Sequence, residues 1–284
     1  MNEILFSNIN ENNIFHIFEW DIIRFYSPNY QKALIYADNI DINHPTQKWR
    51  YFVMNKLYKS VEYTNLKAQS RLLYAGFECF EFIKYFPSYP LIDIYQKLRP
   101  KLYGKYILVV QRNENDRYLY DYHTKLPLQD YLQTKKFKLP VKHCNFAQLN
   151  PQDQYDACAN SAIIIMAHGA GCTNVIFTPK QTPLIEINFR KHWYCDLVCD
   201  DHFSGKISIN QKCNGKLTCF NHFHKADYHN LCHLINKKYV EMEAIEYGGS
   251  FNTRNPISKQ KIFIDGALLE NYINQYLESM IWKT

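Results

Sequence analysis

Two continuous apolar runs, Lys105–Gln111 (KYILVVQ) and Ser161–Ala167 (SAIIIMA), constrain the fold of this chain more than any other feature. Neither alternates polar with apolar residues, so neither can turn one face to water. Each reads as a strand buried on both faces, the pattern of a parallel sheet covered by helices. The segments around them alternate accordingly: helix Leu126–Gln133, strand Val141–Phe146, a helix from Asn150 to about Ala159, a short helix from Cys172 and strand Pro183–Ile187. Asn150-Pro151-Gln152-Asp153 is a well-formed helix start, with a capping amide, proline at the first position and an acid in the first turn. Such alternation implies a parallel sheet with right-handed crossovers.

Before these runs, Asn12–Tyr26 has helical spacing, with Ile14, Phe18, Ile22 and Phe25 on one stripe. Ala33–Ala37 is a short strand, Thr46–Ser60 a second helix, Leu72–Ile83 one or two strands and Leu91–Leu98 a further helix. The best boundary is Arg99–Gly104, because a new element starts cleanly behind it. Residues 1–100 and 101–266 are thus expected as two domains, with amphipathic helix Ala267–Ile281 closing the chain.

Composition removes several function classes. The 284 residues are 46% hydrophobic and 21% charged, enough apolar surface for a core and incompatible with disorder. A net charge of +6 without a concentrated basic stripe points to a small anionic ligand at most, and no nucleic acid is expected. The longest apolar runs fall far below the ~20 residues of a membrane span, and Met1–Asn13 lacks a leader pattern, so a soluble cytoplasmic chain is expected. Nine cysteines without one C-x-x-C pair read as reduced thiols. The Cys and His residues between His192 and His233, including Cys195, Cys199, His222 and His224, could suit zinc. Their spacings are not those of tight structural sites, and half-buried thiols are the plainer reading.

The loop His168-Gly169-Ala170-Gly171 stands where open parallel sheets bind ligands, beyond the carboxyl ends of the strands. Gly169 and Gly171 allow close backbone approach, and a helix starting there offers N–H groups to a phosphate. His168 adds a donor, with Thr173 and Asn174 in the first turn. The same string also serves as a plain turn packing a helix on a sheet. A lipase-type oxyanion loop is a further reading, but Gly248-Gly249-Ser250-Phe251-Asn252 is not the required G-x-S-x-G elbow.

Taken together, Ile163–Ile187 (IIIMAHGAGCTNVIFTPKQTPLIEI) closely resembles the signature of glycosyltransferase family 61, with Cys172 in place of the usual Leu. That family includes O-linked N-acetylglucosaminyltransferases and plant xylosyltransferases. Ile107–Leu119 (ILVVQRNENDRYL) resembles the family's strand–Arg–loop–Arg segment, with Arg112 and Arg117 at the matching places. Tyr120-Asp121 replaces a common Asn-Glu pair. Asn13–Asp21 is similar to its N-x-x-H-x-F segment with an acid nearby, and Gly76–Phe80 to a Cys-Phe element of some members.

The resemblance implies an α/β fold of GT-B type: two Rossmann-like domains with parallel sheets, and a C-terminal helix crossing back to the N-terminal domain. Residues 1–100, joined by 267–284, would face the acceptor, and 101–266 would hold the nucleotide-sugar. The implied reaction is inverting transfer by direct displacement from a nucleotide-sugar donor to a hydroxyl of a glycan or glycoprotein acceptor. An inactive glycosyltransferase-like nucleotide or glycan binding module is the alternative. Arg112, Arg117, His168, Gly169, Ala170, Gly171, Thr173 and Asn174 would bind the diphosphate, and Glu186 the ribose. His16 would be the base. Glu19 shares a helical face with His16, whereas the family pattern fits Asp21 at least as well, so both acids stay open as its partner. No Asp-x-Asp occurs, and no cofactor or divalent metal is expected.

Overall fold

The computed structural model describes residues 3–6, 13–23, 26–36, 40–64, 88–101, 104–114, 116–188, 227–248 and 261–281. Its N-terminal half contains a parallel sheet of β1 (Glu3–Phe6), β2 (Lys32–Tyr36) and β3 (Ser60–Thr64). With it go helices α1 (Ile14–Ile17), α2 (Pro45–Leu57) and α3 (Ser88–Leu98). Two sequence expectations change here. The helix expected over Asn12–Tyr26 passes from α geometry into a π-helical stretch at Phe18–Ile23. The helix expected to reach Ser60 ends at Leu57, because Ser60–Thr64 pairs in parallel register with β2, where β-branched Val61 and Thr64 fit a pleated surface. The strands expected over Leu72–Ile83, with the Gly76–Phe80 element, lie outside the described residues.

The second half is built on β4 (Tyr106–Val110), β5 (Tyr118–Asp121), α4 (Leu128–Gln133), β6 (Val141–Cys144), α5 (Pro151–Ala159), β7 (Ser161–Ala167) and β8 (Leu184–Asn188). It continues with α6 (Asp227–Leu234), β9 (Tyr239–Glu243), β10 (Glu246–Gly248), β11 (Lys261–Ile264) and α7 (Gly266–Ile281). Five strands form one all-parallel sheet in the order β6-β4-β7-β8-β9. In chain order that is 2-1-3-4-5, the doubly wound arrangement whose topological switch falls between the first and third strands, here β4 and β7. The mixed α/β layout with parallel sheets fits a Rossmann-like fold. Strands β5, β11 and β10 make a small mixed sheet beside it.

Every residue of β4 and β7 is buried, as their composition requires. Successive side chains of a strand point to opposite faces, so odd and even positions enter different cores. Leu108, Val110, Ile164 and Met166 join a core with Trp49, Val53, Leu91 and Leu98 of the first half. Ile107, Val109, Ile163 and Ile165 join Leu128, Leu132, Leu269 and Ile273 on the other face. The first core runs on past the expected boundary at Arg99–Gly104, with Leu98 before it and Tyr106 after it.

Helix α7 departs from expectation. Its apolar stripe, Leu269, Ile273, Tyr276 and Leu277, packs in the core of the five-stranded sheet beside α4, rather than crossing back to residues 1–100. Both ends are tied to the same half. The Gly266 N–H donates to Asp121 Oδ1 at 3.0 Å, and the Tyr276 hydroxyl donates to the Gln181 carbonyl. Gly266 has no room for a side chain, since a Cβ would stand 2.5 Å from Asp121 Oδ1 and from the Tyr131 ring.

Fully buried Asp121 also accepts from the Thr124 N–H and hydroxyl, both at 2.6 Å. Burial raises its pKa, but these donors and the Gly266 N–H outweigh burial and hold it below the ordinary value. A depressed carboxylate stabilises the fold above the unfolded pKa of about 4, and that stability is lost as pH falls through the folded value. Asp121→Asn is therefore expected to lower stability at pH 7 by about 2 kcal/mol. In denaturant titrations the gap to the unsubstituted protein should narrow from pH 5 to pH 3; a gap constant with pH contradicts the assignment.

Candidate active site

Strand β7 ends at Ala167, and the next residues carry the sequence's most specific string. Gly169 has φ 154° and ψ 177°, a region open essentially to glycine alone. A Cβ there would lie 2.8 Å from Arg117 Nη1 and 3.8 Å from Arg112 Nη1. The two guanidinium groups thus converge on a glycine at the β4/β7 switch point. Arg112 follows β4 directly, whereas Arg117 (φ 54°) lies in the turn before β5 and donates from Nη1 to the His168 carbonyl at 2.8 Å. Asp116 stands between them, 3.4 Å from Arg112 Nε and 3.6 Å from Arg117 Nε. Arg112 Nη1 is sealed from solvent and has no acceptor among the described residues.

What sets the two arginines is Gln111, a residue the sequence reading passed over as the end of a strand. Buried at 3% exposure, its side chain bonds both the N–H and the carbonyl of Leu119, at 2.9 and 3.0 Å. It also donates to Gln129 Oε1 at 2.6 Å. The amide clamps β4 to β5, so the seven residues between Gln111 and Leu119 have a fixed span. A polar side chain closing a wholly apolar run was the available signal.

After Gly169 the chain enters a 3-10 helix, Ala170–Phe177, that starts two residues earlier than expected. Thr173 and Asn174 are fully buried. Thr173 Oγ1 has no hydrogen-bond partner among the described residues. Asn174 accepts from Trp49 Nε1 at 2.8 Å and donates to Gln154 Oε1 at 3.1 Å, bridging α2 and α5. Its amide is therefore spent on position.

His168 and Glu186 form a second unit behind the loop. Glu186 is 3% exposed, not a solvated strand end; one carboxylate oxygen meets His168 Nδ1 and the other accepts from the Tyr239 hydroxyl at 2.7 Å. Burial first, and then the adjacent Glu186 charge, push the Tyr239 pKa far up, so its proton stays in that bond. A carboxylate only accepts, so the hydrogen of the His168 contact sits on Nδ1.

A cavity of about 450 Å³ opens above the switch point. Of the residues expected to bind the donor, Arg112, Gly169, Ala170, Gly171 and Asn174 line it, whereas Arg117, His168, Thr173 and Glu186 do not. Its far walls come from Ile14, from Pro45, Thr46, Lys48 and Trp49 of α2 and from the loop between β6 and α5. His16 belongs to α1, and Glu19 and Asp21 to the π-helical stretch after it, but their side chains lie outside the described residues. Of the Cys and His residues between His192 and His233 only buried Cys232 and exposed His229 and His233 are described, the two histidines stacked at 6.4 Å. No group of three or more His, Cys, Asp or Glu with metal-site geometry occurs among the described residues, and no helix there is long and apolar enough to cross a membrane.

Removing the Glu186 carboxylate takes an acceptor from buried His168 and one from half-buried Tyr239, at about 1–3 kcal/mol each. Glu186→Leu is expected to lower stability by about 3 kcal/mol in chemical denaturation. Tyr239→Phe, which removes only one donor, should cost less than half of that. Unchanged stability in Glu186→Leu would contradict a positioning role.

No curated protein is significantly similar to the sequence. Residues 15–185, more than half of the chain, match the family described as Glycosyltransferase 61. The matched stretch contains α1 from its second residue, both arginines, the Gly169 loop and β8 up to Ile185. The chain belongs to glycosyltransferase family 61.

Proposed function

We propose that the chain is an inverting glycosyltransferase that moves a sugar from a nucleotide-sugar to a hydroxyl of a glycan or glycoprotein. The observation that carries this reading is the convergence of Arg112 and Arg117 on Gly169, at the mouth of a ligand-sized cavity. The Arg112 guanidinium, which lines the cavity, would donate to a diphosphate oxygen. The Gly169–Gly171 backbone comes close to the same place because no side chain intervenes.

In the proposed step the acceptor oxygen bonds to the anomeric carbon as the bond from that carbon to the diphosphate oxygen breaks. The hydroxyl proton passes to His16, assisted by Glu19 or Asp21. The departing negative charge is taken up by the Arg112 guanidinium and the loop N–H groups, which act without a divalent metal. Asn174, and His168 with Glu186, hold the loop in place. Residues 1–100 present the acceptor.

Arg112→Ala is expected to weaken nucleoside diphosphate binding 10- to 100-fold by calorimetry, the loss of one charge-assisted bond. His16→Ala should keep that affinity while lowering turnover of nucleotide-sugar at least ~100-fold. Transfer should persist in excess EDTA. Diphosphate binding unaffected by Arg112→Ala would sink the donor site, and full turnover in His16→Ala would sink the base.

A further inference from the structure

The donor has two ends, and the cavity offers two directions from the diphosphate anchor. Toward β8 no described residue lines the cavity, and the Glu186 carboxylate is bonded to His168 and Tyr239 instead. On the opposite flank the cavity runs over β4 to the loop 145–150 that follows edge strand β6. We infer that the nucleoside half of the donor lies on this loop, and that Ala147 and Gln148 set which base is accepted. The inference rests on the donor-site reading above.

The surface there suits a flat heteroaromatic ring with a polar edge. Val110, Met166, Phe146 and Leu149 contribute apolar side chains to the lining, and Asn145 and Gln148 contribute amide side chains. Gln148 is exposed, and its side chain makes no hydrogen bond among the described residues. A hexose, carrying hydroxyls around its whole edge, would leave several of them unpaired against that apolar floor.

The loop is also held in advance of any ligand. Gln154 Nε2 donates to the carbonyls of Phe146 and Leu149, at 2.9 and 3.1 Å. Its Oε1 accepts from Asn174, which in turn accepts from Trp49. Asn145 Oδ1 accepts from the Ala147 N–H at 3.0 Å, and its Nδ2 donates to Asn113 Oδ1 at 2.9 Å, one residue from Arg112. One chain of amides therefore fixes the loop relative to both the Gly169 helix and the arginine turn, the preorganisation that affinity for a rigid base rewards.

Direction agrees with chemistry. Helix α1, which carries His16, packs against the helix that follows Gly169, whereas β6 lies two strands from β7. A donor that presents its anomeric carbon toward α1 has its nucleoside at the β6 side.

The test uses the full chain and compares inorganic pyrophosphate with UDP, CDP and GDP by calorimetry, in the unsubstituted protein and in Ala147→Leu and Gln148→Ala. Both positions are exposed, and pyrophosphate affinity serves as the folding control. Ala147→Leu is expected to keep pyrophosphate affinity within about twofold while losing at least tenfold for the preferred nucleotide. Gln148→Ala should change the ranking among the three bases. Unaltered nucleotide affinity and ranking in both variants, with Arg112→Ala still disruptive, would overturn the nucleoside assignment and leave the donor site standing. Equal loss of pyrophosphate and nucleotide in both variants overturns it too. Binding of neither pyrophosphate nor any of the nucleotides by the unsubstituted protein defeats the donor reading itself, and this inference with it.

Discussion

Strands β4 and β7 have no face to give to water, and the molecule is arranged around that constraint. Burying both sides of a sheet takes two cores, and alternation along each strand divides them residue by residue. One core draws in α2 and α3 from the first half, the other α4 and α7. With both faces covered, the only places where this sheet can meet a ligand are the ends of its strands. The strand order puts a divergence between β4 and β7, where the loops after them run to opposite faces and leave a crevice. The cavity, Arg112 and Gly169 are there because of this topology.

Holding a loop over such a crevice is a separate task from touching a ligand, and the residues divide accordingly. Asn174 and Glu186 lie in the string that resembles the family signature, yet both are spent on internal bonds. Inside a protein an amide or carboxylate with one bond missing is expensive, so a network must be complete to be tolerated. These networks are complete at the bonds seen here, and each fixes one flank of Gly169. Asn174 ties the helix after it to α2 and α5, and Glu186 fixes the His168 side chain before it. The signature is therefore as much about placing a glycine as about contacting a substrate.

That division explains what could and could not be read from the sequence. Burial on two faces left a continuous apolar run, so β4 and β7 were legible to within a residue, and local capping chemistry made α5 equally plain. Short strands were not. Tyr118–Asp121 and Lys261–Ile264 pair across more than 130 residues and carry no local signal of that partnership. Polar groups were harder still, because a letter does not reveal its partner. Lys237 follows Asn236 and precedes Lys238, a polar surface by its letters, but it is 6% exposed and its ammonium donates to the carbonyls of Pro179 and Thr182. Burial brings its pKa down to about 7. Glu186 is expected from the resemblance as a ribose ligand, and burial beside His168 and Tyr239 could not be inferred from its position in a strand. Arg112, Gly169 and Gly171, which the resemblance singled out, do line one cavity, because their place depends on backbone path, which a motif encodes.

The charge at the site is smaller than its arginines suggest, and this bears on how an anion would be held. Asp116 offsets one of the two guanidinium groups, leaving one net positive charge from the trio. A 3-10 helix of eight residues adds only the few N–H groups of its first turn. Asp116 stands 3.4 and 3.6 Å from its partners, long for charged hydrogen bonds, so Arg112 is not locked into a tight pair with it. A carboxylate in that place keeps two like charges close together before a ligand arrives, and it disfavours a bare anion that gains nothing from the rest of the cavity. What an anion gains beyond this trio then falls to the rest of the lining, where Lys48 is the one further charged residue among those described and contact area and amide geometry decide what else stays bound.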